Sequence, residues 1–326
     1  NQNLLIMARY AIIKLCHLSP LHIGTGRESY DTSSAWLHSD TLASALASLK
    51  AQRGDSDVAE FMSQLVVSSA FPFYKDMLFL PKAHGRVRFA NEEKCRKSLK
   101  RVTFIEQSLW TRLADGGQLS ESDVTIDGDF MYPAGRRCAT MSRTQTTQRV
   151  HVYADTEKDA EPFFFEWRYF DHEAGLYFLT TATGPLLDEL VTLATMLGET
   201  GLGTDRNVGG GHFEVEVAEV EINNTPNADA QVLLSLFIPD RQDMQNLNLE
   251  DARYGLLRRG GFAAGSSIES LRHLRKRSVY MFDEGSVFPT QTPLGGTVVD
   301  LRPDWNAPAM HPMLRSGKPF FLPYKM

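Results

Sequence analysis

Apolar and polar positions change their spacing several times along the first 83 residues. Residues 9–18 alternate as a strand does, and this pattern stops at Ser19 and Pro20. Apolar residues at helical spacing follow Ser39 and Asp40, either of which can cap a helix. These spacings predict a strand followed by a helix. A second helix is predicted at 58–69, and a short strand is predicted at 77–81.

The same patterns return after residue 170. Residues 175–182 are rich in apolar, aromatic and β-branched side chains, which predicts a strand. Residues 185–200 have the apolar spacing of a helix. Residues 213–222 alternate as a half-buried strand. With residues 84–170 left out, the order is βαββαβ, which is the ferredoxin-like order of an RRM-type domain.

These elements predict an α+β chain of two ferredoxin-like (RRM-type) domains with an inserted thumb element. Residues 1–83 and 171–222 would form the N-terminal domain, and residues 84–170 would form the insertion. A linker is predicted at 223–229, because it is polar and contains a proline. Residues 230–326 would form a C-terminal, degenerate ferredoxin-like domain.

Composition limits the possible functions. With 326 residues, 42% hydrophobic and 23% charged, the chain can bury a full core. Its 3 cysteines (Cys16, Cys95 and Cys138) are widely spaced, so we expect neither a disulfide framework nor a zinc site. No apolar run is long enough for a membrane span, and no secretion signal is evident. We therefore expect a cytoplasmic protein without a membrane partner.

Positive charge is concentrated in three segments, although the net charge is −6. Residues 84–112 contain eight basic and three acidic residues, and residues 253–277 contain seven basic residues and one glutamate. Residues 136–149 contain four arginines and no acid. Such segregation allows one surface to hold RNA while the opposite surface remains acidic.

A glycine-rich segment, residues 201–213, lies between the predicted helix and the predicted strand. Its five glycines can bring backbone N–H groups close to an anion, and Arg206 adds a guanidinium. Walker and dinucleotide loops run from strand to helix, whereas this loop runs from helix to strand. We therefore expect no nucleotide cofactor. The alternative is that Gly201 is only a helix cap and the remainder a surface turn.

Several segments resemble one protein family. They are Leu21-His-Ile-Gly-Thr-Gly26, His38–Leu46, Arg258-Arg-Gly-Gly-Phe262, Leu274–Phe288 and His311–Phe321, in addition to the glycine loop. Together they resemble the Cas5-like group of the RAMP superfamily, the RNA-binding proteins of CRISPR effector complexes. The resemblance is greatest to the capping subunit of type III-A (Csm) complexes.

This resemblance implies a non-catalytic subunit that caps the complex backbone and holds the 5′ handle of the guide RNA. Its implied partners are the guide RNA, the large polymerase-like subunit and the repeating backbone subunit. The insertion would be the thumb that wedges between guide nucleotides. No cofactor or metal is implied. The candidate RNA-binding residues are Gly201, Gly203, Arg206, Asn207, Gly209, Gly210, Gly211, His212, His22, Arg136, Arg137, Arg143, Arg149, Arg258 and Arg259.

The histidines leave an enzymatic alternative open. A metal-independent endoribonuclease of the same superfamily, which processes repeat RNA, would need a general acid and base near a 2′-OH. His22, His38 or His212 would then be catalytic. Tyr30, Trp36 and Tyr132 are further candidates, because an aromatic ring can stack on any base.

Overall fold

A computed structural model describes residues 7–24, 30–90, 95–152, 159–223, 225, 227–262, 274–290, 292–305 and 311–326. Parts of several sequence patterns lie outside the described residues. These are Thr25 and Gly26 of the first motif, Lys94 of the first basic segment, residues 263–273 of the third, and Asn224 and Pro226 of the predicted linker.

The described chain is a mixed α+β structure. The strands of the N-terminal half are β1 (Met7–Cys16), β2 (Phe71–Tyr74), β3 (Met77–Pro81), β4 (Phe104–Glu106), β5 (Val124–Asp127), β6 (Phe130–Pro133), β7 (Ser142–His151), β8 (Glu161–Phe170), β9 (Ala174–Thr180) and β10 (Glu214–Asn223). Those of the C-terminal half are β11 (Ala230–Leu233), β12 (Leu256–Arg259), β13 (Val279–Phe282), β14 (Val287–Phe288), β15 (Val298–Asp300), β16 (Leu314–Ser316) and β17 (Phe321–Tyr324). The helices are α1 (Ser39–Gln52), α2 (Val58–Gln64), α3 (Arg96–Arg101), α4 (Gln107–Ala114), α5 (Gly184–Thr200) and α6 (Asp243–Asn246).

The largest sheet has eight strands in the order β10-β1-β9-β2-β3-β4-β6-β5. Each of its first four strands is antiparallel to its neighbours among them. The strand predicted at 77–81 is confirmed as β3. In the sheet, β9 pairs with β2 and not with β3, so β2 takes the place of the second strand in the predicted βαββαβ order. β2 was not predicted from the sequence, because it contains Pro72 and a proline argues against a strand. The hairpin with β3 begins only at Phe73, so this proline need not donate to β3.

Both faces of the sheet are covered, because side chains along its strands point alternately into two hydrophobic cores. Ile13 and Leu15 of β1 pack with α1, α2 and α5, whereas Ile12 points into a second core that includes Trp110 of α4. Val232 of β11 lies in that second core, so the C-terminal half covers this face. α1 begins at Ser39, with His38 as its N-cap residue and without a side-chain cap. The expected capping role of Ser39 or Asp40 was therefore wrong.

The insertion at 84–170 has two parts. Residues 96–133 contribute α3 and α4 and the strands β4, β5 and β6, which continue the large sheet. β7 and β8 form a separate two-stranded ribbon, paired from Ser142 with Phe170 to His151 with Glu161. Residues 136–149 lie at the surface, and only Met141 among them is buried.

The C-terminal half contains a three-stranded sheet, β14-β11-β17, and the ribbons β12-β13 and β15-β16. A buried ion-pair cluster joins it to α1, in which Asp40 contacts Arg259 and Arg315. Its assignment as a degenerate ferredoxin-like domain, like the domain limits, stays a prediction. None of the helices in the described ranges is long and apolar enough to cross a membrane.

Candidate nucleic-acid interface

The glycine-rich loop is folded back on itself between α5 and β10. Gly203 has φ +88°, and a side chain there would collide with the carbonyl oxygen of His22. Gly211 has φ +71°, and a side chain there would collide with the Leu202 carbonyl. Glycine is therefore required at both positions by backbone conformation and by close packing within the protein.

The three consecutive glycines use their N–H groups internally. The N–H of Gly209 donates to Arg206 O at 3.2 Å, that of Gly210 to Asp205 O at 3.2 Å, and that of Gly211 to Pro20 O at 2.9 Å. The expectation that these N–H groups face a ligand is therefore corrected. The N–H of His212 likewise donates to Ser19 Oγ at 2.7 Å.

Other N–H groups of the loop remain available. Those of Gly203, Asp205, Arg206 and Asn207 have no acceptor within the part of the chain that the structure describes. Those of Asp205, Arg206 and Asn207 lie at the start of the 3₁₀ turn Arg206–Val208, whose three side chains are exposed. The guanidinium of Arg206 has no ion-pair partner among the described residues. This turn is the part of the loop that can receive an anion.

The β7–β8 ribbon holds the loop from one side. The ring of Trp167 covers Gly210, where a Cβ would lie 2.6 Å from the indole. Arg149 forms an ion pair with Asp205, and its guanidinium lies 4.2 Å from the centroid of Phe165. Arg149 is therefore engaged in fixing the loop, so its expected role in direct RNA contact is corrected to one of support.

His22 lies behind the loop and is completely buried, with 0% exposure. Its Nδ1 donates to Glu166 O at 2.8 Å, and its ring centroid is 4.5 Å from that of Phe165. Its Nε2 has no partner among the described residues. Direct contact of His22 with RNA is therefore contradicted, because the surrounding protein covers the ring.

His38 has different surroundings. Its Nδ1 lies 2.8 Å from Oε1 of the buried Glu284, and its ring stacks on Trp36. None of these partners contacts His22, so the two histidines do not share a site as a general acid and base would. Trp36 also packs on Phe104, and Tyr132 is buried in the core. Of the three proposed stacking residues, Tyr30 is the exposed one.

The remaining candidate arginines divide into exposed and engaged side chains. Arg137 and Arg143 are exposed and have no ion-pair partner among the described residues. Arg136 pairs with Asp76 at 2.5 Å on the surface. Arg258 is exposed, and its Nη2 donates to Ser278 Oγ at 3.3 Å.

The expected RNA contact of Arg259 is corrected by the structure. Its Nε lies 2.9 Å from Asp40 Oδ2 and its Nη2 lies 3.0 Å from Asp40 Oδ1, and it also donates to Thr41 Oγ1 at 2.8 Å. Burial alone would raise the pKa of Asp40, but Arg259 and Arg315 outweigh it and hold that pKa below its usual value. The Arg259 guanidinium is therefore committed to the interior and is not available to RNA.

The ribbon also exposes apolar side chains that were not among the sequence candidates. Phe164 is 57% exposed, and Val150 and Val152 are exposed as well. Side chains alternate across the ribbon in the run Phe163-Phe-Phe165, so Phe165 faces inward and Phe164 outward. That alternation was the available signal.

Comparison with known proteins finds similarity to one family. Residues 226–324 match the family described as the CRISPR Csm4 C-terminal domain. The chain is 28% identical over 309 residues to the CRISPR system protein Csm4 of Mycobacterium tuberculosis, covering 91% of this chain and 93% of that protein. It is 26% identical over 308 residues to the Csm4 of Streptococcus thermophilus, covering 92% and 94%.

Solved structures show the same fold. The Csm3–Csm4 subcomplex of the type III-A CRISPR-Cas interference complex contains a chain with a TM-score of 0.66 at 18% identity, covering 98% of this chain and 100% of that one. The Csm1–Csm4 cassette in complex with cA4 contains one with a TM-score of 0.61 at 19% identity, covering 98% and 99%. Residues 226–324 therefore match the Csm4 family, and the whole chain is similar in sequence to Csm4 proteins and in fold to the Csm4 chains of type III-A complexes.

Proposed function

We propose that this chain is a non-catalytic subunit that caps the backbone of a type III-A complex and holds the 5′ handle of the guide RNA. The observation that carries the proposal is the exposed turn at Arg206 and Asn207. An unpaired guanidinium stands there with the backbone N–H groups of Asp205, Arg206 and Asn207, which have no acceptor in the described structure. Such a group of donors suits a phosphate, which can accept from several N–H groups and from arginine together.

The turn is preorganised for this task. Asp205 has left-handed backbone geometry, with φ 59°, and Arg149 holds its carboxylate. Trp167 of the same ribbon packs on Gly210. Since these contacts are already made, binding RNA would not need to order the loop, and less of the interaction free energy is lost to ordering.

The β7–β8 ribbon is proposed to act as the thumb. It combines the exposed Arg143 with the exposed ring of Phe164. A cation can contact the sugar-phosphate chain while an aromatic ring stacks on a base, which is a common division of roles in single-strand binding. The ribbon would thereby mark the end of the handle.

The proposed partners follow from relatives. Related chains form a Csm3–Csm4 subcomplex and a Csm1–Csm4 cassette, so we propose a repeating backbone subunit and a large subunit as neighbours of this chain, in the cytoplasm. We also interpret the strand order β10-β1-β9-β2 as a ferredoxin-like sheet in the N-terminal half. A degenerate copy in the C-terminal half remains part of the proposal.

The endoribonuclease alternative has less support. His22 is buried against Phe165, and His38 is engaged by Glu284. A purified chain incubated with labelled repeat RNA tests this point. His212 is the remaining candidate, because it is partly exposed. Site-specific cutting that is lost in His212→Ala would overturn the non-catalytic proposal.

The proposal itself is tested by assembly. The complex is reconstituted with guide RNA and either the native chain, Arg206→Ala or the control Arg241→Ala, which removes an exposed arginine outside the turn. We expect the complex with Arg206→Ala to retain less guide RNA or a guide with a poorly defined 5′ end. Equal guide content and the same 5′ boundary in all three complexes would contradict the proposal.

A further inference from the structure

An arginine-lined cleft lies where two of the three basic segments meet. It has a volume of about 520 Å³ and is lined by Gly85, Arg86, Arg88, Arg253 and Met326. Arg86 and Arg88 follow β3, whereas Arg253 precedes β12, so the fold brings together charges that are far apart in the chain. Ligand sites typically occupy about 300–1,000 Å³.

No carboxylate side chain lines this cleft. Arg86 and Arg253 have no ion-pair partner within the described ranges. Of the nearby acids, Asp283 is engaged by His84 at 2.8 Å, and Asp229 accepts from the Met326 N–H at 2.8 Å. The positive charge of the cleft is therefore not neutralised by an ion pair of the described structure.

Contacts within the protein position the arginines that line the cleft. Arg88 donates through Nη1 to Lys325 O at 2.9 Å, through Nε to Gly117 O at 3.3 Å and through Nη2 to Leu113 O, and its guanidinium lies 5.5 Å from the Tyr324 ring centroid. Its charge is thus held in place by neutral carbonyl groups. Gly85 has φ +110°, and a Cβ there would lie 3.0 Å from Cδ and Nη1 of Arg253. Glycine at this position leaves room for the Arg253 side chain.

Phosphate is the group that fits such a site. Guanidinium groups present a planar set of N–H donors that matches phosphate oxygens, and two of the three here lack an anion. An acidic peptide carries carboxylates rather than phosphates, and the proposed function places RNA on this chain. A single-stranded RNA segment is therefore the favoured source of the phosphate.

We propose that this arginine cleft binds phosphate groups of a single-stranded RNA segment, as a contact separate from the Arg206 turn. The inference rests on the proposed function, in which this chain holds RNA. The guide and a second RNA strand offer the same phosphates, so the experiment must distinguish these two sources.

Binding of a fluorescein-labelled oligouridylate to the full chain, measured by anisotropy over a range of salt concentrations, tests the cleft. The variants are Arg86→Gln, Arg253→Gln and their combination, with Arg241→Gln as the matched control. Each lost phosphate contact lowers the log–log salt slope by about 0.7, so the double variant should lose about 1.4. We expect its affinity to fall about tenfold at moderate salt. Arg88 is left intact because its contacts are structural, and circular dichroism confirms folding.

Photocrosslinking locates the contact. Oligonucleotides with 4-thiouridine should crosslink to the peptide that contains position 253, and the double variant should lose this product. In the reconstituted complex, thiouridine placed either in the guide or in a second strand identifies which RNA reaches the cleft.

The outcomes separate the two proposals. If the native chain binds no RNA, the proposed function and this inference both fail. If Arg206→Ala weakens binding while the double cleft variant behaves like Arg241→Gln, the cleft inference alone is overturned. It is also overturned if the double variant binds RNA normally but recovers less protein partner, because the cleft then docks a protein.

Discussion

Arginine lies close to consecutive glycines in two parts of this chain, at Arg206 and at Arg259. The surroundings of the two guanidinium groups differ. Arg206 stands on an exposed turn without an ion-pair partner in the described structure, whereas Arg259 is bound to the buried carboxylate of Asp40. The glycines also differ. Gly210 and Gly211 close the loop after Arg206, whereas the Gly260 carbonyl accepts from the buried Arg315 at 2.9 Å. The local pattern is therefore the same for an exposed arginine without an ion-pair partner and for a structural one.

The difference arises from where the opposing carboxylate lies. Asp40 is 0% exposed, so its charge requires cations, and it obtains them from two distant segments. Asp205, beside Arg206, is satisfied instead by Arg149 of the ribbon. A buried charge thus determines which arginines turn inward.

The largest effect is expected when the buried cluster is broken. Arg259→Ala leaves Asp40 with one fewer cation and should lower the free energy of unfolding by about 3 kcal/mol, measured by urea denaturation. Its neighbour Arg258, which is exposed, provides the matched control, and Arg258→Ala should change stability by only about 0.5 kcal/mol. Equal effects of both substitutions would remove the distinction between the two kinds of arginine.

A smaller effect is expected from the glycines of the loop. Gly210→Val should destabilise the fold by about 2 kcal/mol, because its Cβ would lie 2.6 Å from the Trp167 ring. Gly209 has open space around it and φ +89°, so Gly209→Ala should cost only about 1 kcal/mol through backbone strain. Thermal and urea unfolding measure both. If Gly210→Val impaired RNA binding but not stability, the packing role assigned to Gly210 would be wrong.

The third prediction concerns pH and Lys276. Burial, and then the charge of Arg315, lower the pKa of Lys276 from 10.5 to about 8. Below about pH 8 the lysine is charged in both states, and its burial destabilises the fold. As pH rises from about 8 to 10.5 the unfolded state binds more protons, so stability should increase.

Removing this lysine should abolish that increase. Lys276→Met should raise the free energy of unfolding by about 1–2 kcal/mol at neutral pH and flatten its dependence between pH 8 and 10.5. Urea denaturation at several pH values provides the measurement, with the exposed Lys97→Met as control. If Lys276→Met is instead less stable than the native chain at neutral pH, favourable interactions in the folded state outweigh the cost of burying the Lys276 charge.

The smallest effect on stability is expected at the exposed turn. Arg206→Ala should leave the free energy of unfolding within about 0.5 kcal/mol of the native value. It should lower the log–log salt slope of single-stranded RNA binding by about 0.7, corresponding to one lost phosphate contact. If both the slope and the affinity are unchanged, Arg206 lies away from the RNA.

Much of the N-terminal fold could be predicted from spacing. The helix at 185–200 and the strand at 213–222 were confirmed as α5 and β10, because apolar periodicity reports which face of an element is buried. β2 was not predicted because its Pro72 argues against a strand when its pairing partner is unknown. The sequence showed a turn rich in glycine, but it could not show which N–H groups the loop would use itself.

The site was less predictable than the fold. Burial of His22, the engagement of Arg149 by Asp205 and the capture of Arg259 by Asp40 all involve partners more than 50 positions away. Nothing in the local sequence of these residues reports the distant carbonyl or carboxylate. The sequence of this chain determined the order of helices and strands, the basic segments and the glycine loop, since these depend on neighbouring residues. Only the tertiary structure decided which arginines remain exposed and which N–H groups stay available, because packing distant segments places buried charges and acceptors beside them.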